Sequence, residues 1–211
     1  MGIITESLIL FGVLFLPGIG PGPGGVIPFS VNRELSRIFV YNIPAFALIW
    51  YLLGLTGGRR LPRPGLKDLS AAAIALPGLL AIGYCVSLTG SFLADLVPAI
   101  QVDPPGDALQ WVLTAVSSLT TGYLEESYFR FYLLTRLTQG GIPPRRALLI
   151  STALFALCHI YEGFPGVLNA LLAGLFLAGL FLKKPSLHSL AWAHGAYNMT
   201  VYLVLALTMN R

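Results

Sequence analysis

Charge is what this sequence has least of. Asp, Glu, Lys and Arg make up only 10% of its 211 residues, against about a quarter in ordinary soluble domains. Such sparse charge does not suit a soluble surface. Hydrophobic residues at 55% and a mean hydropathy of +0.76 suit a chain that faces lipid. Cysteine is scarce as well: Cys85 and Cys158, both in apolar runs, fit no metal motif and no disulfide framework. Cys85 reads as a small buried hydrophobe. The first sixteen residues contain Glu6 but no Lys or Arg, so they lack the basic start of a cleaved secretory signal and read as a short first membrane helix. The net charge of +4 forms no stripe of basic and aromatic residues, which argues against nucleic acid as a partner. No internal repeat or low-complexity segment is visible.

What is present is a series of apolar runs separated by Pro, Gly and charge. A membrane-crossing helix needs about 20 apolar residues. The runs predict an all-α, polytopic membrane bundle, a single integral-membrane domain over residues 1–211. About seven transmembrane helices are expected, near residues 3–16, 38–56, 69–88, 108–137, 147–161, 166–182 and 187–208. The count falls to six if the first is re-entrant. Pro21-Gly22-Pro23-Gly24-Gly25 is an irregular connector, a plain linker or a mobile gate. Pro77 should kink the third span. The fourth is longer than a bilayer needs, so it should tilt, kink or project. Ala170, Gly174 and Ala178 form a small-residue face for close helix packing.

The loops after spans two, four and six carry Arg59, Arg60, Arg63, Lys67, Arg145, Arg146, Lys183 and Lys184, while the loop after span three carries Asp95, Asp103 and Asp107. Basic loops stay cytoplasmic, which predicts the N-terminus in and the C-terminus out. Arg33 and Arg37, in the first connector, run against that pattern.

Ionisable groups at membrane depth are costly, and they mark function. Residues 122–136 place Glu125, Glu126 and Arg130 inside an apolar helical stretch. Glu126 and Arg130, four apart, can pair on one face. Glu125 is turned about 100° away, towards a partner helix. Phe155 with His159, and His194 with Asn198, repeat the four-residue spacing on later spans. At about 1.5 Å per residue, Glu125 and His159 each lie about 18–20 Å from the basic end of their helices. Asn198 lies about 16 Å in and His194 about 10 Å. All four share one slab near mid-membrane. His188 sits at a span end and reads as interfacial, whereas Asn42 and Asn169 read as interhelical hydrogen-bonding groups.

These motifs resemble the membrane-embedded CAAX protease and bacteriocin-processing family, which includes type II CAAX prenyl endopeptidases. The resemblance rests on Glu125-Glu126-Ser127-Tyr128-Phe129-Arg130, on Phe155-Ala156-Leu157-Cys158-His159, and on His194-Gly195-Ala196-Tyr197-Asn198. The three occur in the family's order, within about residues 111–202. The resemblance implies a glutamic intramembrane protease with catalytic helices at about 108–137, 147–161 and 187–208. Glu125 and His159 would activate the attacking water, and His194 and Asn198 would form the oxyanion hole. Glu126, Arg130 and Phe155 would support them. No cofactor and no metal are expected. The expected partners are the lipid bilayer and a protein substrate with a hydrophobic or lipidated segment: a prenylated CAAX tail, a bacteriocin leader or a C-terminal sorting tail. A prokaryotic cytoplasmic membrane is the expected location.

Three rivals remain at this stage. Glu and His ligands could hold zinc, although the chain lacks His-Glu-x-x-His. A proton-coupled transporter using Glu125, or a non-enzymatic immunity or scaffold protein, would share the same composition. A Cys158 nucleophile is disfavoured, because neighbouring helical residues diverge by about 100° and Cys158 would point away from His159.

Overall fold

The structure, a computed structural model, describes residues 2–18, 25–57, 60–90 and 100–209. The connector residues Pro21 to Gly24, together with Arg59 and Asp95, lie outside the described residues. Helices dominate: α1 (Ile3–Phe15), α2 (Val31–Ser36), α3 (Ile43–Gly57), α4 (Leu66–Gly90), α5 (Ala108–Glu126), α6 (Thr135–Gln139), α7 (Pro144–Leu157), α8 (Gly163–Lys183) and α9 (Leu187–Met209). Two three-residue strands, β1 (Gly25–Ile27) and β2 (Ile100–Val102), pair with each other.

Three helical runs, Val31–Thr56, Leu66–Thr89 and Ile160–Lys183, are long and apolar enough to cross a membrane, and Ile3–Phe15 is a shorter apolar helix. Pro77 lies inside α4, which continues through it. Cys85 is exposed on α4 rather than buried. A lipid-crossing helix turns apolar side chains outward, and apolar character alone does not tell a lipid-facing position from a core one.

Two helical runs change their winding. Between α2 and α3, Arg37–Asn42 is π-helical. Between α5 and α6, Ser127–Leu134 is π-helical too. The expected 108–137 helix is therefore interrupted directly after Glu126. In this π stretch Tyr128, Phe129, Phe131 and Tyr132 are all buried, and the wider i→i+5 turn fans such bulky groups over more directions than an α turn.

The chain divides into two compact units. The first comprises Met1–Val26, Leu80–Gln101 and Phe129–Pro185. Here α7 packs on α8 across the expected small-residue face. A Cβ added at Gly174 would meet Phe155 Cδ1 at 3.0 Å and Thr152 Cγ2 at 3.1 Å, while Ala170 and Ala178 are buried on the same face. The Tyr132 hydroxyl donates to Glu6 Oε1 at 2.6 Å, and Arg136 Nη2 to Glu6 Oε2 at 3.0 Å, tying α1 to the helix that follows the π stretch.

The second unit comprises Ile27–Leu79, Val102–Tyr128 and Ser186–Arg211, and its centre is the pair α5 and α9. Two glycines set their separation. A Cβ at Gly122 would lie 2.7 Å from the Ala191 carbonyl oxygen, and one at Gly195 would lie 2.9 Å from Leu119 Cα. Both obstacles are backbone, so the helices approach this closely only because neither residue has a side chain. Asn42 Nδ2 donates to Thr120 Oγ1 at 2.9 Å and to Thr121 Oγ1 at 3.0 Å. Trp50 Nε1 donates to Ser127 Oγ at 2.9 Å.

Candidate active site

In the second unit the close approach of α5 and α9 brings three predicted residues together. His194 Nδ1 lies 2.9 Å from Glu126 Oε1, and His194 Nε2 lies 3.5 Å from Glu125 Oε2. The imidazole thus stands between the two carboxylates. The Glu126 side chain is 0% exposed and that of Glu125 14%. Oε2 of Glu125 is buried and has no hydrogen-bond partner among the described residues. Asn198 follows His194 by one turn of α9 and is half-buried.

In the first unit Arg130, Phe155 and His159 form a stack. The Arg130 guanidinium lies 4.6 Å from the Phe155 ring centroid and 5.9 Å from that of Phe129. The His159 and Phe155 ring centroids are 4.7 Å apart. The expected helix over 147–161 stops early, at Leu157. The last turn tightens: Cys158 N donates to the Leu154 and Phe155 carbonyls, and His159 N to that of Ala156 at 3.0 Å. The Phe155 carbonyl is left with room for a side chain, and His159 Nδ1 takes it at 2.8 Å. A carbonyl oxygen only accepts, so Nδ1 carries a hydrogen, and in the neutral ring Nε2 is the nitrogen with the lone pair. His159 therefore sits just past the end of α7 with its tautomer set by its own helix.

His188, at the start of α9, is buried at 6% exposure. Its Nε2 lies 2.9 Å from the Pro62 carbonyl oxygen and its Nδ1 2.7 Å from the Tyr123 hydroxyl. Nε2 therefore donates to the carbonyl and Nδ1 accepts from Tyr123. Nearby, Asp68 Oδ1 accepts from Ser186 Oγ at 2.5 Å and from Ser189 Oγ at 3.4 Å, and Asp68 Oδ2 accepts from Gly65 N at 2.9 Å. The start of α4 is thereby latched to the start of α9. A cavity of about 400 Å³ lies in the same unit, lined by Ile43, Phe46, Leu61, Thr120, Tyr123 and His188 among others. Sequence reasoning passed over Tyr123 and the two packing glycines, although Gly122 lies three residues before the first motif and Gly195 follows His194 in the third.

Apolar helices that carry a buried glutamate, a half-buried one beside it and a buried histidine define the class: an integral membrane protein with an ionisable site inside its helices. Residues 107–200 match the family model of the type II CAAX prenyl endopeptidase Rce1-like proteins, and over that stretch the chain is similar to that family of proteases. Searches of curated proteins and of solved structures each found no match.

Proposed function

We propose that this protein is a glutamate-dependent intramembrane endopeptidase acting on a membrane-associated protein with a hydrophobic or lipidated segment. The observation that carries the reading is the convergence of Glu125, Glu126 and His194 where α5 meets α9, with their side chains at most 14% exposed. Glu125, with His159, acts as general base towards water. Its proton later passes to the leaving amine. His194 and Asn198 donate to the oxyanion, where each such donor is worth about 10²–10³ in rate. The lone pair at His159 Nε2 suits a base, because the Phe155 carbonyl holds the proton on the other nitrogen. The apolar cavity beside Tyr123 suits a hydrophobic segment of the substrate. The positions of the basic loops support a chain with its N-terminus in the cytoplasm and its C-terminus outside, in a prokaryotic cytoplasmic membrane.

The decisive comparison is mass spectrometry of membrane proteins from cells carrying the wild type, Glu125→Ala or His159→Ala. A peptide end produced by the wild type is expected to disappear in both variants, while the purified variants keep their thermal unfolding profiles. Loss of flux across the membrane with no polypeptide changed in length would sink the protease reading in favour of a proton-coupled transporter. Cleavage by protein stripped of zinc is also expected; restoration by zinc alone would assign the chemistry to a metal instead.

A further inference from the structure

The cavity of about 400 Å³ in the second unit is mostly apolar, and the polar side chains that line it are Asn42, Thr120, Tyr123 and His188. Their hydrogens are already spent. His188 Nε2 donates to the Pro62 carbonyl, and the Tyr123 hydroxyl donates to His188 Nδ1. Thr120 Oγ1 donates to the Ser117 carbonyl at 3.1 Å. Having given away its one hydrogen, that hydroxyl can only accept from Asn42, so the amide atom 2.9 Å from it is the nitrogen. The second amide hydrogen goes to Thr121 Oγ1 at 3.0 Å. These bonds leave Asn42 Oδ1 as an uncommitted acceptor on a residue that is only 2% exposed and lines the cavity. A buried acceptor in an apolar wall needs a donor from whatever fills the space. An isoprenoid or acyl chain has no such hydrogen, and an anion would set acceptor against acceptor. A peptide segment brings both an apolar side chain and an N–H.

Resting on the endopeptidase reading, we propose that this cavity is a subsite for an apolar residue of the substrate's polypeptide, with Asn42 Oδ1 accepting that residue's backbone N–H. Ile43, Phe46 and Leu61 give the side chain its apolar surroundings, and the one free acceptor fixes its orientation, as a few placed polar groups do in mostly apolar sites. Asn42 is thereby a specificity-determining residue, which favours polypeptide over a bare lipid chain in the same space. Its two threonine partners stand on α5, the helix that carries Glu125. Thr120 and Thr121 precede Glu125 by about 6–8 Å of helical rise, which is about two residues of extended chain. The recognised N–H therefore belongs about two residues from the bond that is cut.

The test replaces the donor on the ligand, so the protein's fold is left alone. Full-length Glu125→Ala protein in detergent micelles is titrated with N-acetyl-dileucine N-methylamide, and the thermal unfolding midpoint is followed. Three analogues each carry an ester oxygen in place of one of the peptide's three N–H groups. The amide is expected to raise the midpoint, and one ester should need a concentration about 10- to 100-fold higher for the same rise, the loss of one bond to a buried acceptor. With Asn42→Leu added, that ester and the amide should become indistinguishable; if this variant does not fold, the four ligands on the Asn42 protein decide alone. Equal effects of the amide and all three esters overturn the proposal. So does farnesyl methyl ether, an apolar chain without a donor, if it acts at concentrations as low as the amide. For a peptide that the active protein cleaves, an ester about two residues from the cut should raise KM about 10- to 100-fold, with kcat little changed. A protein that cleaves nothing yet distinguishes amide from ester fails the endopeptidase reading and leaves the peptide subsite standing; one that cleaves but makes no such distinction does the reverse.

Discussion

At the level of single residues, the two buried histidines of α9 differ in what surrounds them. His194 faces two carboxylates, whereas His188 is held by a tyrosine hydroxyl and a backbone carbonyl. His188→Ala removes the bonds that the Tyr123 hydroxyl and the Pro62 carbonyl make with the ring, at about 1–3 kcal/mol. The expected outcome is a lower unfolding midpoint with kcat per folded molecule within a few-fold of wild type; a loss as deep as that of Glu125→Ala would place His188 in the chemistry. The ionisable groups that meet on α5 and α9 were legible in the sequence, because a charge in an apolar run is conspicuous and a four-residue spacing puts side chains on one face. That one imidazole would stand between both glutamates was not legible, since it depends on how closely two distant helices approach. The burial of His188 was hidden for a similar reason: its partners, Tyr123 and Pro62, are far away in the chain.

At the level of elements, apolar length and Pro-Gly punctuation made α4, α8 and α9 readable to within a few residues. The π winding at Ser127–Leu134 and the early end of α7 were not readable in that way. Both arise from which backbone carbonyl each N–H selects, and composition carries little trace of that choice. The glycines show what spacing can hide. Gly122→Ala and Gly195→Ala each drive a methyl group into backbone, so each should cost about 1–3 kcal/mol and reduce cleavage by moving His194 relative to Glu125 and Glu126. Gly179→Ala, with nothing within 4 Å of an added Cβ, should be neutral or stabilise by about 0.4–1 kcal/mol. Thermal unfolding of the three variants in detergent checks this; equal losses in all three would mean that helix propensity, rather than the α5–α9 contact, governs the effect.

At the level of the whole molecule, the charge pattern of the loops predicts their sides. With Cys85 and Cys158 replaced, Arg63→Cys should react with an impermeant thiol reagent only from the cytoplasmic face, and Asp103→Cys only from the other. The reverse pattern, or both on one side, would overturn the proposed orientation. The family match begins at residue 107, yet several hydrogen bonds that hold α5, α9 and their flanking residues reach back before it. Asn42 serves Thr120 and Thr121, Trp50 serves Ser127, Asp68 receives Ser186, and Pro62 receives His188. The shared stretch is thus not a transplantable cassette. Grafted behind an unrelated leader sequence, it would keep every signature residue and still have to recruit new partners for the buried hydroxyls and the imidazole that these upstream groups now satisfy. Any segment placed ahead of residue 107 would have to supply its own scaffolding for the same two helices.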